Sequence, residues 1–244
     1  MLNHIDLKAD RRKFLALTGL TLQEFEQLLA AFSRAYDVLY PIDQTVDGQP
    51  RQRFAGGGRQ GSLPSPGQKL LFILVYLKTY PLQVVLGELF GLSQAQANHW
   101  IHRLLPVLRS ALDDTGALPE RDAAHFVHHR SAPGAESRLI IDGTERRRQR
   151  PKNPEKQAAH YSGKKKTHSD KNLVLLDPDS KRIEFLSPTY AGKTHDKKMA
   201  DQEPIAYPPE TELHKDTGFQ GYEPAVRRTC QAKKKATRRG THSR

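Results

Sequence analysis

The hydrophobic pattern changes at about residue 137, and this change limits most strongly what the chain can fold into. Before it, apolar residues such as Phe25, Leu28 and Phe32 recur at the spacing of one helical face. After it, short apolar runs such as residues 182–186 alternate with polar residues, which is typical of strands. The pattern predicts a helical first half and an α/β second half in a chain of 244 residues.

The positive charge is concentrated in the second half. Residues 1–137 hold 14 Lys/Arg and 13 Asp/Glu, whereas residues 138–244 hold 25 and 14. A half with a net charge of +11 favours a polyanionic partner, with solvated surface charge as the alternative. The single cysteine excludes an internal disulfide, and no apolar run is long enough to cross a bilayer, so we predict a cytoplasmic protein with no membrane partner.

Two segments precede the central helices. An N-terminal helical segment, residues 1–40, contains a helix predicted over residues 14–35, with a capping-box pattern at Thr21 and Glu24. Residues 41–68 are rich in Gly, Pro, Gln and Arg and are interpreted as a loop or linker.

Residues 69–112 predict a helix-turn-helix DNA-binding region. A buried helix over residues 70–78 is followed by helices over residues 82–90 and 94–105, joined by a turn that contains Gly91 and the capping residue Ser93. Gly87 is small where the last two helices must approach closely. A purely structural hairpin is the alternative. The outward residues of the second helix are the predicted DNA contacts: Gln94, Gln96, Asn98, His99, His102 and Arg103.

Residues 113–136 are interpreted as a polar connector. His125 and His129 are four residues apart, with Asp122 nearby, but no further ligands complete a metal site. A polar surface segment is therefore favoured over metal binding.

Two aspartates in the second half, Asp142 and Asp216, each follow a short apolar run and precede glycine within two residues. If their strands are neighbours, both carboxylates lie at one sheet edge, where they can hold divalent ions for phosphodiester chemistry. An ordinary strand-end turn is the alternative.

The first two predicted strands cover residues 137–141 and 171–176. Two basic runs lie between them and are the predicted contacts with the phosphate backbone. Solvated loops are the alternative, and Tyr161 either stacks on a base or anchors its loop. The basic residues are Arg146, Arg147, Arg148, Arg150, Lys164, Lys165 and Lys166.

These motifs together resemble bacterial insertion-sequence transposases of the DDE superfamily, in the insertion sequence five group. The resemblance covers about residues 12–235 and includes the helix-turn-helix. Its other motifs are residues 140–146, Arg150-Pro151, and residues 161–166, 192–198 and 216–222.

The resemblance implies an α+β fold: an N-terminal all-α helix-turn-helix domain, then an incomplete ribonuclease H-like α/β domain over residues 137–230. It further implies Mg²⁺ or Mn²⁺ held by Asp142 and Asp216, with His195 and Asp196 in supporting roles beside the ligands. The implied partner is double-stranded DNA, namely element ends and target, bound by a homo-oligomer without a small-molecule cofactor.

The chain departs from the family after Asp216, where a third carboxylate is expected on a helix after another strand. Glu223 is the one acidic residue that follows, and it comes too soon. Residues 231–244 are predicted to be a disordered basic tail. We therefore expect a truncated or frameshifted transposase that is inactive alone. A truncated repressor of transposition and a plain transcription regulator are the alternatives.

Overall fold

The structure is a computed structural model that describes residues 1–45, 48–52, 61–129 and 137–231, without the side chains of residues 128 and 129. All of the predicted tail, residues 231–244, except Gln231 lies outside these residues, as do residues 46–47 and 53–60 of the predicted loop. Gln231 is instead the last residue of a strand. The chain divides into two compact units, Met1–Leu118 and Pro119–Arg244. Within the described part of the chain, no helix has both the length and the apolarity that a membrane span needs.

The first unit is entirely helical. Its helices, in chain order, are α1 (His4–Leu7), α2 (Arg11–Thr18), α3 (Leu22–Leu39), α4 (Pro66–Thr79), α5 (Gln83–Phe90) and α6 (Gln94–Asp114).

Helix α4 is buried along most of its length and lies at the centre of the first core, as its unbroken apolar run predicts. The side chain of Ser65 caps its first turn, and Pro66 occupies the first helical position. Phe14, Phe25 and Phe32, from α2 and α3, are fully buried in the same core.

The prediction of one helix over residues 14–35 is wrong, because Gly19 adopts a left-handed conformation with φ of 75° and ends α2. The predicted capping box at Thr21 and Glu24 is confirmed as the start of α3. Helix α6 also runs beyond its predicted end at residue 105 and continues through Pro106. Val107, Leu108 and Ala111 continue its buried face, so packing outweighs the hydrogen bond that proline removes.

The second unit is built on a mixed sheet. Its helices in the described residues are α7 (Phe126–His129), α8 (Pro154–His160) and α9 (Asp196–Gln202). Its strands there are β1 (Ser137–Arg147), β2 (Tyr161–Ser162), β3 (Thr167–Asp177), β4 (Arg182–Leu186), β5 (Tyr190–Ala191), β6 (Thr211–Lys215) and β7 (Arg228–Gln231).

The sheet has the order β2-β3-β1-β6-β7, and β4 and β5 pair with β3. Strand β3 is antiparallel to both β1 and β4. Strand β6 pairs in parallel with β1, and β7 pairs in parallel with β6. The predicted α+β class is confirmed, and this sheet is consistent with the ribonuclease H-like domain that the resemblance implies.

Three predictions about the second unit need correction. Strand β1 does not end at residue 141 but continues to Arg147, paired with β3, so Asp142 lies inside a strand. Strand β7 supplies a strand after Asp216, where we expected none, and its polar sequence carries no alternating signal. The segment interpreted as a polar connector contributes Phe126, which is fully buried and packs edge-on against Phe185 and Tyr207.

Candidate catalytic site and nucleic-acid interface

Asp142 lies within β1, and Asp216 directly follows β6, the parallel neighbour of β1. The last aligned residues of β1 and β6 are Ile141 and Lys215, and the next residues are Asp142, still within β1, and Asp216, which directly follows β6. Ile141 and Lys215 are buried on one face of the sheet. Because side chains alternate along a strand, the aspartates belong to the opposite face, and both are exposed.

Each of these carboxylates uses one oxygen atom in a local hydrogen bond. Asp142 Oδ1 accepts from the backbone N–H of Gly143 at 2.7 Å, and Asp216 Oδ1 accepts from that of Gly218 at 2.8 Å. Within the described ranges, neither side chain makes an ion pair. Two exposed carboxylates with an oxygen to spare match the ligands that hard divalent cations prefer, so this pair fits Mg²⁺ or Mn²⁺.

Asp196, the first residue of α9, lies against the backbone beside both aspartates. A Cβ atom placed on Gly143 would be 2.9 Å from Asp196 Oδ1, and one placed on Gly218 would be 2.9 Å from Asp196 Oδ2. Both motif glycines therefore leave room for this carboxylate. The Lys171 ammonium forms an ion pair with Asp196 Oδ1 at 3.0 Å, so Asp196 carries a partner that the sequence did not reveal.

His195 occupies the N-cap position of α9, where its exposed side chain makes no capping hydrogen bond. Its backbone carbonyl accepts the first helical hydrogen bond, from the N–H of Met199 at 3.1 Å. The structure thus places His195 and Asp196 together at the start of α9, with Asp196 beside the two aspartates. The sequence predicts a short helix that opens at residues 193–196 and runs to about Gln202, which puts both residues near its start.

Glu223 is held by partners of its own. Its carboxylate accepts from Lys215 Nζ at 2.6 Å and from Thr229 Oγ1 at 3.0 Å. The hydrogen bond from Lys215, then that from Thr229, lowers the pKa of Glu223. Since the Lys215 side chain belongs to the buried face opposite Asp216, Glu223 neutralises that buried ammonium and is poorly placed as a metal ligand.

The arginines that we interpreted as a basic loop form part of β1 and the segment after it, and three of them join neighbouring elements. Arg146 donates to Asn172 and to Thr189, and Arg148 pairs with Asp170 at 2.9 Å. Arg150 donates to Gln157 Oε1 at 2.8 and 3.0 Å. Arg147 is exposed and, in the described part of the chain, has no such partner.

The three lysines lie in a tight turn between β2 and β3. Lys164, Lys165 and Lys166 are exposed, and the N–H groups of Lys165 and Lys166 bond to Ser162, which fixes the turn. Their ammonium groups make no ion pair within the described ranges. Gly163 in this turn lines a cleft of about 710 Å³. The lining also includes Arg150, Tyr161, His168 and Lys193.

Tyr161 is 42% exposed in that cleft and packs edge-on against His168, with ring centroids 5.5 Å apart. The contact anchors the ring from one side and leaves part of its surface free. The structure thus keeps both interpretations of Tyr161 open.

Helices α5 and α6 form the predicted helix-turn-helix geometry. Gly91 ends α5 with φ of 67°, and Ser93 starts α6 through a capping box with Gln96. A Cβ atom on Gly87 would come within 2.5 Å of the Leu92 carbonyl oxygen, so the predicted close approach at Gly87 is confirmed.

The six predicted DNA contacts on α6 differ in their surroundings. Gln94, His99 and His102 are exposed, and Asn98 is half-buried. The Gln96 side chain accepts from the Ser93 N–H at 2.9 Å, so it stabilises the helix start. The Arg103 guanidinium stacks on the Tyr40 ring, 3.8 Å from its centroid. The side chain therefore lies against the edge of the first core.

The alternative metal site at the connector histidines is not formed by the described residues. His125 Nδ1 lies 3.2 Å from Asp122 Oδ2, and both side chains are exposed. The side chain of His129 lies outside the described residues. A solvent-exposed pair of this kind is an ordinary surface contact.

Two family models match the chain. The model for the helix-turn-helix of DDE superfamily endonuclease matches residues 61–114, and the model for DDE superfamily endonuclease matches residues 141–243. No curated protein and no solved structure matches the chain. The first range contains α4, α5 and α6, and the second contains Asp142, Asp196, Asp216 and the lysine turn.

Proposed function

We propose, from the premise that the chain is a DDE-superfamily transposase-like protein that binds and cleaves DNA, that it acts at the ends of an insertion sequence. The observation that carries the catalytic part is the alignment of Ile141 with Lys215, which puts Asp142 beside Asp216. We place the element in the insertion sequence five group on the motifs of the second half.

In this proposal, α6 reads the element end and the second unit holds the phosphate backbone. The exposed side chains of Gln94, His99 and His102, with Asn98 beside them, are available to base edges in the major groove. Gln96 and Arg103 support the helix itself. The lysine turn and Arg147 offer exposed positive charge to phosphates.

Asp142 and Asp216 would hold Mg²⁺ or Mn²⁺ on the exposed face of the sheet. When bound, such an ion stabilises the charge that develops on phosphodiester oxygens during displacement. Gly143 and Gly218 donate backbone N–H groups that fix the two carboxylates. Lys171 holds Asp196 beside them through an ion pair. Asp196 therefore supports the two aspartates but does not act as the third metal ligand.

We propose that the protein by itself cleaves DNA weakly or not at all, because Glu223 serves Lys215 and the described residues offer the pair no third free carboxylate. The test measures Mn²⁺ affinity of the full chain. Asp142→Asn and Asp216→Asn should each weaken it about 10-fold or more, since each removes a direct ligand. The matched control Asp201→Asn, an exposed carboxylate on α9, and Glu223→Gln should both leave it unchanged.

Duplexes that carry the element's ends test the DNA part. All four variants should retain binding, and Mg²⁺ should produce little cleavage. Replacing the three lysines with alanine should reduce the salt dependence of binding, by about 0.9 in log–log slope for each phosphate that a lysine had neutralised. Unchanged Mn²⁺ affinity in both aspartate variants would contradict the metal assignment, and efficient cleavage would contradict the weak activity.

A second candidate function is a repressor that occupies element ends without cutting them. The commitment of Glu223 to Lys215 and Thr229 favours it. A repressor should protect the ends from nuclease, while its protection stays the same in the Asp142→Asn and Asp216→Asn variants with and without Mg²⁺.

A further inference from the structure

Three side chains with different ligand atoms converge on the face of the sheet where β6 meets β7. Glu212 and His214 are two residues apart on β6, so they share a face, and Cys230 on β7 is aligned with His214. Glu212 Oε1 lies 3.1 Å from His214 Nε2 and 3.2 Å from Cys230 Sγ. All three ligand atoms lie within 4.8 Å of one another, and no other such trio occurs in the described residues.

These separations are close to those that a tetrahedral zinc ion requires. Bonds of about 2.0–2.3 Å to oxygen, nitrogen and sulfur put neighbouring ligand atoms roughly 3.3–3.7 Å apart. The two distances from Glu212 are close to this range, and the distance between the His214 and Cys230 ligand atoms is at most 4.8 Å. Three protein ligands would leave the fourth position to water, and the side chains of His214 and Glu212 are 43% and 34% exposed, so an ion can reach them.

The ligand types select against the ions expected at Asp142 and Asp216. Thiolate and imidazole favour Zn²⁺ and similar transition metals, whereas Mg²⁺ prefers oxygen alone. The surrounding charge is mixed: Arg138 and Arg228 are aligned with Glu212 on the neighbouring strands. Arg138 forms an ion pair with Asp179 at 2.8 Å. Arg228 is therefore the positive charge that remains beside Glu212.

We propose that Glu212, His214 and Cys230 bind a Zn²⁺ ion that fastens β7 to β6. As the sulfur–zinc bond forms, the thiol proton that Cys230 donates to Glu212 leaves to solvent. Strand β7 has four residues, Arg228–Gln231, and pairs with β6 alone in the described sheet, so a bridging ion would secure it. The proposal does not rest on the proposed DNA function, although alternation puts Glu212 and His214 on the same sheet face as Asp216.

The test titrates the metal-free full chain with Co²⁺ and then with Zn²⁺. Because Cys230 is the only cysteine, a thiolate-to-cobalt charge-transfer band reports on this site alone. We expect the band at one Co²⁺ per chain and its loss when Zn²⁺ replaces Co²⁺. Excess Mg²⁺ should leave it unchanged.

Cys230→Ser should abolish the band, and Cys230→Ser and His214→Asn should each weaken Zn²⁺ affinity by at least about 100-fold, more than the loss of an outer-shell partner. The control His125→Asn removes an exposed histidine of the same unit and should change neither. Circular dichroism of the metal-free variants checks that they fold. If only one of the two ligand variants folds, that variant alone tests the proposal. The proposal fails if the native chain gives no band, or if Zn²⁺ affinity is the same in the folded ligand variants.

Discussion

At the scale of single residues, the glycine of the 192–198 motif is required by the backbone around it. A Cβ atom on Gly192 would lie 2.6 Å from the Ser169 carbonyl oxygen and 2.9 Å from that of His160. Both contacts are with backbone of other elements, which cannot rotate away as a flexible side chain can. The residue thus lets the segment before α9 lie directly on β3.

Gly192→Ala should therefore destabilise the second unit by about 1–3 kcal/mol, as over-packing commonly does. Urea unfolding measures the difference. Gly163→Ala is the matched control, since a Cβ atom there would meet nothing within 4 Å, and its effect should stay within about 0.5 kcal/mol. Equal stability of the two variants would show that the segment can shift.

Glu145 on β1 links three strands through a carboxylate of altered pKa. Burial by itself raises that pKa, but hydrogen bonds from Ser162 and Ser169 and the charges of Lys171 and Lys165 outweigh it and lower the pKa below 4.5. The folded state thus favours the ionised form. Its contribution to stability is complete above pH 4.5 and is lost as the pH falls through the lowered value.

Glu145→Gln should accordingly destabilise the protein at neutral pH. The difference from the native chain should shrink as the pH falls below 4.5, because the native carboxylate then becomes protonated and resembles the amide. Urea unfolding at a series of pH values measures it. A difference that stays constant with pH would mean that Glu145 acts by packing alone.

At the scale of elements, the turn between α5 and α6 depends on a close approach that sequence spacing predicted. Gly87→Ala brings a methyl group against the Leu92 carbonyl oxygen, at 2.5 Å without relaxation. The expected over-packing cost of about 1–3 kcal/mol exceeds the roughly 1 kcal/mol that alanine gains in a helix. Gly61→Ala, with no neighbour within 4 Å, is the control for the chemical denaturation measurement. A more stable Gly87→Ala variant would contradict the role given to this close approach.

Element ends were less predictable than the elements themselves. Strand β4 matches its predicted range because alternation marks both ends, whereas α9 begins at Asp196, three residues after its predicted start at Lys193. Strand β1 is longer than predicted because its last residues are polar. They are held by pairing with β3, which is distant in the sequence. Strand β7 was missed for the same reason, since pairing with β6 alone defines it.

At the scale of the whole molecule, the two units have separate hydrophobic cores. The buried residues of the first core lie between Leu7 and Ala111, and those of the second lie between Ala123 and Tyr222. A fragment of residues 1–118 should therefore unfold cooperatively in urea by itself. Its helical circular dichroism is the measurement, and a fragment without a cooperative transition would show that the first core needs the second unit.

The candidate catalytic pair was predictable, whereas its surroundings were not. Two strand-associated aspartates, each near a glycine, suggested neighbouring carboxylates before any pairing was known. The partnership of Asp196 with Lys171 and that of Glu223 with Lys215 join residues on different elements. No local pattern encodes such contacts, and they decide which carboxylates are available to a metal ion.

The sequence by itself determined the helical first half, the strand-forming second half and the residue types at both proposed DNA-contacting surfaces, because periodicity and composition are local properties. Only the tertiary structure decided that β1 and β6 are parallel neighbours, that Arg103 and Gln96 support their helix, and that Glu212, His214 and Cys230 meet. These facts depend on which distant strands pair and which side chains pack, and the free energy of those contacts is defined only in the folded chain.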